Sequence, residues 1–448
     1  MAFIRPNPEL LDSKYATDMH QWMRQQIDLV GAWVDKIDAS YRPRAIAINK
    51  MSQGDWHDAA YLVENIGSIY KKVGSLLKRD LHSHSQRVPE ICCLSQPELD
   101  VLLATDVHSQ IGTTLRVDCI ERNGLLQIIE VNTDCVAGHE DLLLYMSFFE
   151  ASIANNSELL EQISSAKTTV ESTYLKWLES QCDCSLAELK SRTIAVGYDD
   201  RDDSVFLARF VAEWLRSHGF NAVPCRPEHL SILNNTLYVS GVAGSAPTPV
   251  TILLRHWLFM EMFDYRKPMH PVLFPRFRAI VNALEGGLVV MLNPFVDRLL
   301  FSKAILASLC NHEVNEFGLD KSELEFVKAH IPETVFYDKY LRSQWVTKPS
   351  VLFGGLGVVV NEAVQPVLSG YHLPQSSWVR QRTVEGEKIN WPYSHDAGLD
   401  FNPTDLHVVQ GLLMYDTGGR YELAGAMTRA GPDSVVNYSK GAQIIPSI

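Results

Sequence analysis

The chain has 448 residues, of which 46% are hydrophobic and 21% charged, and its formal net charge is −13. This composition is typical of a globular protein with a large core, and the acidic balance excludes the basic surface that nucleic-acid binding requires. No run of about 18 uninterrupted apolar residues predicts a membrane span. The N-terminal segment lacks the apolar core of a secretory signal, so we expect a cytoplasmic protein whose eight cysteines are reduced.

The first part of the chain, residues 1–105, is predicted to be a helical N-terminal region. Apolar residues recur at spacings of three and four between Met19 and Ile37 and again between Asp55 and Lys78. This spacing places them on one face of a helix. Asp55 is the predicted cap of the second helix.

A β-hairpin is predicted from two apolar strands, 113–121 and 125–132, which flank a turn at 122–124. A three-residue loop that ends in glycine is typical of a type I turn followed by a bulge. The loop length sets the register, and it pairs Val117 with Ile129. A two-residue loop would shift the register by one and turn one set of side chains to the other face.

With the longer loop, four polar side chains share one face of the hairpin: Arg116, Asp118, Glu130 and Asn132, with Arg116 opposite Glu130. Carboxylate and amide oxygens are ligands that Mg²⁺ prefers, and two neighbouring carboxylates repel each other unless a cation lies between them. The alternative is a solvated sheet face with a cross-strand ion pair worth at most about 1 kcal/mol. The hairpin alone leaves both interpretations open.

The middle of the chain is predicted to form a parallel sheet. Helices are expected over 138–155 and 157–178, and a strand, a helix over 203–218 and a second strand then follow in order. This order is typical of a βαβ unit. With further strands near Leu237, Ile252 and 288–292, residues 190–295 are predicted to form one domain.

The loop between the hairpin and the first of these helices is acidic. Asp134 and Glu140 lie in it and could attract a cationic amine. The alternative is that the acidic residues before and within the first turn favour the N-terminus of the helix. Asp134 is also the candidate base for an amine substrate.

The C-terminal third is predicted to be rich in β-strands, and one strand ends at Lys348. Gly354, Gly355 and Gly357 follow it in a flexible loop. Glycines let backbone N–H groups approach phosphates, and a lysine adds a positive charge. The loop is not a Walker A motif, because the G-K-[ST] ending is absent. The alternative is an ordinary turn.

Two further segments of this region are candidates for ligand contacts. A strand that ends in Gln381, Arg382, Thr383 and Val384 could offer backbone groups to an adenine edge. Arg429 lies beyond a predicted hairpin turn at 416–419. The alternatives are a plain strand and a surface arginine.

The order of these signals resembles the glutathionylspermidine synthase-like family, whose ATP-grasp domain is circularly permuted. The resemblance extends from about Thr114 to the C-terminus and is carried by Arg116-Val-Asp118, by Glu130-Val-Asn132-Thr-Asp134 and by Lys348-Pro349. It implies an α/β (α+β) fold. It also implies a permuted ATP-grasp domain from 106–155 and 296–448, with a pre-ATP-grasp domain at 190–295.

The resemblance implies roles for individual residues. Two magnesium ions on the phosphates of ATP would be held by Asp118, Glu130 and Asn132. Arg116 and Arg429 would steady an acyl phosphate. The nucleotide would be contacted by Lys303, by Lys348, by the glycine loop with Gly354, Gly355 and Gly357, and by an adenine hinge that contains Gln381, Arg382 and Val384.

The expected activity is therefore an ATP- and Mg²⁺-dependent ligase that joins a small-molecule carboxylate to an amine. ATP would convert the carboxylate into an acyl phosphate, because hydroxide is a poor leaving group and phosphate a good one. The chain departs from the family in its glycine loop and at 135–138, where the family has substrate-binding threonine or serine. A phosphotransferase and a non-catalytic nucleotide-binding protein remain alternatives, and the sequence leaves a homo-oligomer open.

Overall fold

The computed structural model describes residues 48–106, 109–136, 138–152, 157–199, 202–240, 246–264, 271–337, 344–352, 356–360, 378–393, 402–436 and 442–448. The helix predicted over 19–37 lies outside these ranges, and so do Gly354 and Gly355. The α/β fold class is confirmed, because helices cover the faces of both parallel and antiparallel sheets. Within the described residues, no helix has the length and apolar character that crossing a bilayer requires.

The described helices occur in all parts of the chain. They are α1 (Gln53–His82), α2 (Arg87–Cys92), α3 (Gln96–Thr105), α4 (His139–Ser152), α5 (Ser157–Cys182), α6 (Leu186–Lys190), α7 (Asp202–Ser217), α8 (Arg278–Glu285), α9 (Ala304–Cys310) and α10 (Lys321–His330). The helix predicted over 55–78 is confirmed as α1, but its cap is different. Ser52 is the N-cap, and Asp55 completes a capping box with it, which satisfies two backbone N–H groups instead of one.

The strands of the first half are β1 (Thr114–Arg122), β2 (Leu125–Asn132), β3 (Thr193–Tyr198), β4 (Asn221–Cys225), β5 (Leu230–Leu233), β6 (Thr236–Val239), β7 (Thr248–Val250), β8 (Ile252–His256), β9 (Phe263–Asp264) and β10 (Val272–Leu273). Those of the second half are β11 (Val290–Leu292), β12 (Thr334–Phe336), β13 (Trp345–Pro349), β14 (Val359–Val360), β15 (Trp378–Arg382), β16 (Ile389–Tyr393), β17 (Asn402–Asp416), β18 (Tyr421–Gly431) and β19 (Gln443–Ser447).

The main antiparallel sheet has the strand order β19-β18-β17-β1-β2, and β16 pairs with the other end of β17. Helix α1 covers one face, on which Leu115, Val117 and Leu412 are buried. Helices α4 and α5 cover the opposite face, where Leu413 and Met427 are buried. Both faces are therefore in the core, and polar side chains on them are removed from bulk water.

The predicted hairpin of β1 and β2 is confirmed, but its predicted register is wrong. The loop has two residues, Asn123 and Gly124, and both have positive φ, as a type I′ turn requires. Near the turn Cys119 pairs with Ile128, whereas beyond it Asp118 pairs with Glu130. Ile129 is the additional residue of a β-bulge.

The bulge offsets the one-residue shift in register that the two-residue turn causes. Asp118 lies opposite Glu130, and Arg116 lies opposite Asn132 instead of opposite Glu130. Because residues directly opposite in an antiparallel pair share a face, all four polar side chains lie on the same side of the sheet. The predicted face is thus correct although the predicted pairs are not.

The predicted βαβ unit is confirmed. Strands β3, β4, β8 and β11 form a parallel sheet in the order β11-β8-β3-β4, and α7 connects β3 to β4. A third sheet, antiparallel, has the order β12-β15-β13-β14. The domain boundaries proposed from the sequence stay a prediction.

Candidate active site

The carboxylate of Asp118 is the centre of a buried ionic cluster on the face of β1 and β2. Arg116 Nε donates to Oδ1 at 2.9 Å and its Nη2 donates to Oδ2 at 3.1 Å. Arg429 reaches in from β18 and places Nη2 2.6 Å from Oδ2. Asn132 Nδ2 donates to the same oxygen at 3.0 Å. Two strands of the hairpin and one distant strand therefore meet at a single carboxylate.

Glu130 extends this cluster towards the third sheet. Its Oε1 lies 3.0 Å from Nζ of Lys303, the residue that precedes α9. Lys303 Nζ also donates to the carbonyl of Leu352 at 2.5 Å, just before the glycine loop. The cluster therefore contacts the residue just before the glycine loop, which is predicted to bind phosphates.

Lys348 links the main sheet to the third sheet. Its Nζ donates to the carbonyl of Ile129, the bulge residue, at 3.0 Å and to Oε1 of Gln381 at 2.7 Å. Gln381 Nε2 in turn donates to Oγ1 of Thr334 at 3.1 Å. These contacts link β12, β15, β13 and β2. They bring Lys348 close to Glu130, on which Lys303 also acts.

The charges of the cluster stabilise one another against burial. Burial opposes ionisation of Asp118, but the guanidinium groups of Arg116 and Arg429 outweigh it and lower the pKa of that carboxyl. Burial likewise opposes ionisation of Glu130, and Lys303 lowers its pKa. Both carboxylates are therefore ionised at neutral pH. Burial lowers the pKa of Lys348 to about 8.

The backbone at Gly411 leaves room for the cluster. Gly411 pairs with Asp118 across the sheet, and a Cβ atom there would lie 3.4 Å from both Cδ of Arg116 and Oδ1 of Asp118. Met427 Cγ would lie closer still, at 3.3 Å, so a Cβ atom would be in tight contact on several sides. An isolated glycine within an apolar strand often marks such a close approach and is the sequence signal for this part of the site.

Other predicted nucleotide contacts are placed differently. Gly357 has a φ of 71°, which a glycine adopts without strain. Arg382 is directed away from Lys348, because its side chain pairs with Glu333 at 3.2 Å on the exposed edge of the third sheet. Val384 is half-buried beyond the end of β15. The structure thus brings Gln381 into the cluster, but not the side chain of Arg382.

Asp134 lies in a separate buried ion pair. Its Oδ1 is 2.7 Å from Nη2 of Arg255, with both side chains fully buried, and its Oδ2 accepts from the backbone N–H of Phe259 at 2.8 Å. Arg255 Nε and Nη1 donate to the backbone carbonyls of Asn293 and Trp257, and Nη2 also donates to the carbonyl of Pro294. A carboxylate held in this way joins the hairpin to the parallel sheet, and the role of Asp134 as a base for an amine stays a prediction.

Glu140 is in the first turn of α4 and is also buried. Its Oε1 lies 3.9 Å from Nδ1 of His256, at the end of β8. It takes no part in the Asp118 cluster, so the two residues predicted for the substrate are placed apart from the residues predicted for ATP and magnesium.

The donor atoms of the cluster suit magnesium only together with a phosphate ligand. Within the described ranges, no group of three or more His, Cys, Asp and Glu side chains is arranged to hold a metal ion alone. Asp118 and Glu130 face each other across the strands, with the Asn132 amide beside them. Mg²⁺ is commonly bound by one or two carboxylates, with water and substrate phosphates completing its octahedron. The residues present fit that arrangement.

Comparison with known proteins supports the fold. The chain matches no protein-family model and no curated protein. A glutathione synthetase-like effector from Globodera pallida, solved in the apo form, aligns with 99% of this chain and 98% of its own length, with a TM-score of 0.60 and 13% identity. The chain has the overall fold of that effector.

A second solved structure is more distant. It is a candidate gamma-glutamylcysteine synthetase from Methylobacillus flagellatus KT, and it covers 84% of this chain and 88% of its own length at 11% identity. Its TM-score is 0.42, which is too low to support an argument about fold or function.

Proposed function

We propose that this protein is an ATP- and Mg²⁺-dependent ligase that joins a carboxylate to an amine through an acyl phosphate. One observation carries the proposal: Asp118 and Glu130 lie opposite each other on a buried sheet face and are surrounded by Arg116, Arg429 and Lys303. With Lys348 beside them, the cluster joins two possible metal-binding carboxylates to four basic side chains.

The charge balance of the cluster favours a polyanion. Four basic side chains lie around the carboxylates of Asp118 and Glu130: those of Arg116, Arg429, Lys303 and Lys348. Asp141 also acts electrostatically on Arg116. Because charge is costly in a poorly solvated site unless it is matched, a ligand that brings several negative charges would be favoured beside these basic groups. The phosphates of ATP are such a ligand.

Each residue of the cluster would have its own role in the reaction. Bound magnesium would neutralise charge that develops on the transferred phosphoryl group. Asp118, Glu130 and Asn132 would hold it, and Lys303 and Lys348 would contact phosphate oxygens. A guanidinium donates two parallel hydrogen bonds to an oxyanion, so Arg116 and Arg429 suit the carboxyl phosphate. Burial by α4 and α5 would keep water from hydrolysing it.

The similarity to the Globodera effector supports the class of reaction. That protein is described as glutathione synthetase-like, and a synthetase of this kind forms an amide bond. The finer assignment to a permuted ATP-grasp domain, with the E-x-N strand before the lysine and glycine loop, is part of the proposal. So are the small-molecule acid and amine as partners and a cytoplasmic location.

A screen of acids with hydroxylamine tests the proposal without knowledge of the natural amine. Hydroxylamine traps acyl phosphates as hydroxamates, so a ligase should release ADP and form hydroxamate when its acid is present with MgATP. A phosphotransferase that acts on a hydroxyl group would accumulate a stable phosphate ester without hydroxamate. One that releases an acyl phosphate would also give hydroxamate, and the dependence of phosphate release on an amine separates it from a ligase. A nucleotide-binding protein without activity would give neither, although it would still bind ATP.

The phosphotransferase remains the second candidate, because the Asp118 cluster suits phosphoryl transfer in either case. The two functions differ in the fate of the acyl phosphate. Strict dependence of phosphate release on an added amine would favour the ligase, and a phosphorylated product that survives in the presence of every amine would exclude it.

A further inference from the structure

A second buried polar group lies at the carboxyl edge of the parallel sheet. Strand β3 is flanked by β4 on one side and by β8 on the other. All four strands are parallel, but the order in which the chain adds strands to the sheet changes side between β3 and β8. Ligands of open α/β sheets bind outside the carboxyl ends of the strands at such a point. The strands end here at Tyr198 and His256, and α4 brings Glu140 over this edge.

We name the residues there the Glu140 cluster: His139, Glu140, Tyr174, His256 and Tyr415. Burial raises the pKa of Glu140 to about 8 and lowers the pKa of His256 to about 4. The imidazole is therefore neutral at pH 7. In the part of the chain that the structure describes, no lysine or arginine lies within ion-pair distance of Glu140. Its position in a first helical turn would account for an acidic residue, but not for burial without a cation.

Two tyrosine hydroxyls lie within electrostatic range of this carboxyl. The hydroxyls of Tyr174 and Tyr415 are buried and have no hydrogen-bond partner among the described residues. The charge of Glu140 acts on both and contributes to their raised pKa values, after burial. The two rings meet edge to face at 5.6 Å. The ring of His139 stacks on Tyr415 at 4.4 Å, and its buried Nε2 also has no hydrogen-bond partner in the described ranges.

Buried polar atoms that the protein leaves unpartnered are normally satisfied by water or by a ligand. Two such hydroxyl oxygens lie here among the described residues, together with aromatic ring faces and the Glu140 carboxyl, which accepts from its own backbone N–H. An ammonium group donates three hydrogen bonds to such oxygens, and aromatic faces favour a cation. A second carboxylate, Asp141, adjoins Glu140 and raises its pKa, so an anion would be repelled.

The distance between the two clusters limits the shape of a ligand that reaches both. Gly411 marks the position of the Asp118 cluster on β17, and Tyr415 lies four residues further on the same strand. At about 3.4 Å per residue the Cα atoms of Gly411 and Tyr415 are roughly 14 Å apart, and Leu413, which lies opposite Arg116, is roughly 7 Å from Tyr415. The first turn of α4 runs between the two places, because the charge of Arg116 acts on His139 and Asp141 acts on Arg116.

We propose that the Glu140 cluster binds a primary ammonium group at the far end of an elongated carboxylate substrate, whose reacting carboxyl lies beside Arg116. The position of the carboxyl rests on the ligase function proposed above, whereas the ammonium site does not. Ammonia and the smallest amino acids are too short to occupy both places.

Calorimetry on the full-length protein tests the ammonium site without turnover. The probes are straight-chain ω-amino acids of graded length and the alkanoates of matched length, at pH 7 in two buffers with different heats of ionisation. We expect at least one amino acid to bind about tenfold or more tightly than its alkanoate. It should also release a proton, because burial raises the pKa of Glu140 to about 8 and an ammonium group favours the ionised carboxylate.

Glu140→Gln should abolish both the preference for the amino acid and the proton release. The groups that face Glu140 and could also titrate are Asp141, Cys135, His256 and the two tyrosines, and the variant separates Glu140 from them. Glu158→Gln is the control, since it makes the same change in the exposed first turn of α5. Equal binding of both probe series at every length, or unchanged binding by Glu140→Gln, would mean that water alone satisfies the cluster and would overturn the proposal.

The hydroxamate assay then separates this site from the ligase function. If the preferred ω-amino acid also yields hydroxamate with MgATP, both proposals stand, and Glu140→Gln should raise KM by about tenfold or more with little change in kcat. If binding depends on Glu140 but no acid yields hydroxamate, the ammonium site stands and the ligase function fails. If acids yield hydroxamate with no preference for a terminal amino group, the ligase stands and the ammonium site fails.

Discussion

Arg429 Nη2 lies 2.6 Å from Oδ2 of Asp118, although β17 separates their strands. The two oxygens of the Asp118 carboxylate also accept hydrogen bonds from Nε and Nη2 of Arg116. The arrangement holds two guanidinium groups side by side on a buried face. The first prediction follows from this contact.

Replacing Arg429 by lysine should lower the rate of ADP formation by about ten- to a hundredfold, because an ammonium cannot make the planar two-point contact of a guanidinium. Arg420→Lys is a matched control, since Arg420 lies on the neighbouring turn with its side chain 71% exposed. Equal rates for wild type and Arg429→Lys would remove Arg429 from the site.

Glu130→Gln should reduce ADP formation by at least about a hundredfold, because the amide is a neutral and poorer ligand for Mg²⁺ and leaves Lys303 without its carboxylate. The thermal unfolding midpoint should fall, because the buried Lys303 loses its partner, so the rate is compared per folded molecule. Glu121→Gln on β1 provides a control at the exposed end of the same hairpin. Turnover by Glu130→Gln at the wild-type rate would contradict the magnesium role.

Asp134→Asn should destabilise the protein without removing the chemistry. The change leaves Arg255 buried with only carbonyl partners, and breaking a buried ion pair commonly costs about 3–5 kcal/mol. Urea unfolding should show this loss, whereas kcat per folded molecule should stay within about threefold of wild type. A large fall in kcat with unchanged stability would instead support Asp134 as a base.

Lys348 should make stability depend on alkaline pH. Burial lowers its pKa from 10.5 to about 8 in the folded protein, so the unfolded chain binds more protons between these two values. The contribution of Lys348 to the free energy of unfolding should therefore rise with pH in this window. Urea unfolding of wild type and Lys348→Met across the window gives the difference. A difference that is constant with pH would show that Lys348 keeps its ordinary pKa.

Local patterns allowed much of the fold to be predicted from the sequence. Alternation and helical spacing are local, so they identified β1, β2, α1 and the βαβ unit. The cap of α1 was assigned to Asp55 because Ser52 lies outside the apolar pattern. The register of the hairpin was not predictable from loop length, since a turn and a bulge each shift the pairing by one residue.

The candidate site shows the same limit. Asp118, Glu130 and Arg116 were found because one hairpin carries them. The fixed pairing of Asp134 with Arg255 was missed, because its partner comes from another sheet and no local pattern indicates such contacts. Tyr174 and Tyr415 were missed for a similar reason. Their rings match an ordinary apolar face, and only the folded chain shows that their hydroxyls have no partner in the part that the structure describes.

Because Ile129 is an additional residue in β2, an insertion or deletion of an odd number of residues would change the face of the hairpin on which Glu130 lies. Loss of a single residue from β2 between the turn and Glu130 would place the side chains of Asp118 and Glu130 on opposite faces of the sheet, even if every side chain of the site were retained. A compensating residue in the turn would bring them together again. Related chains that differ at both places could therefore keep the site, whereas chains that differ at only one could not.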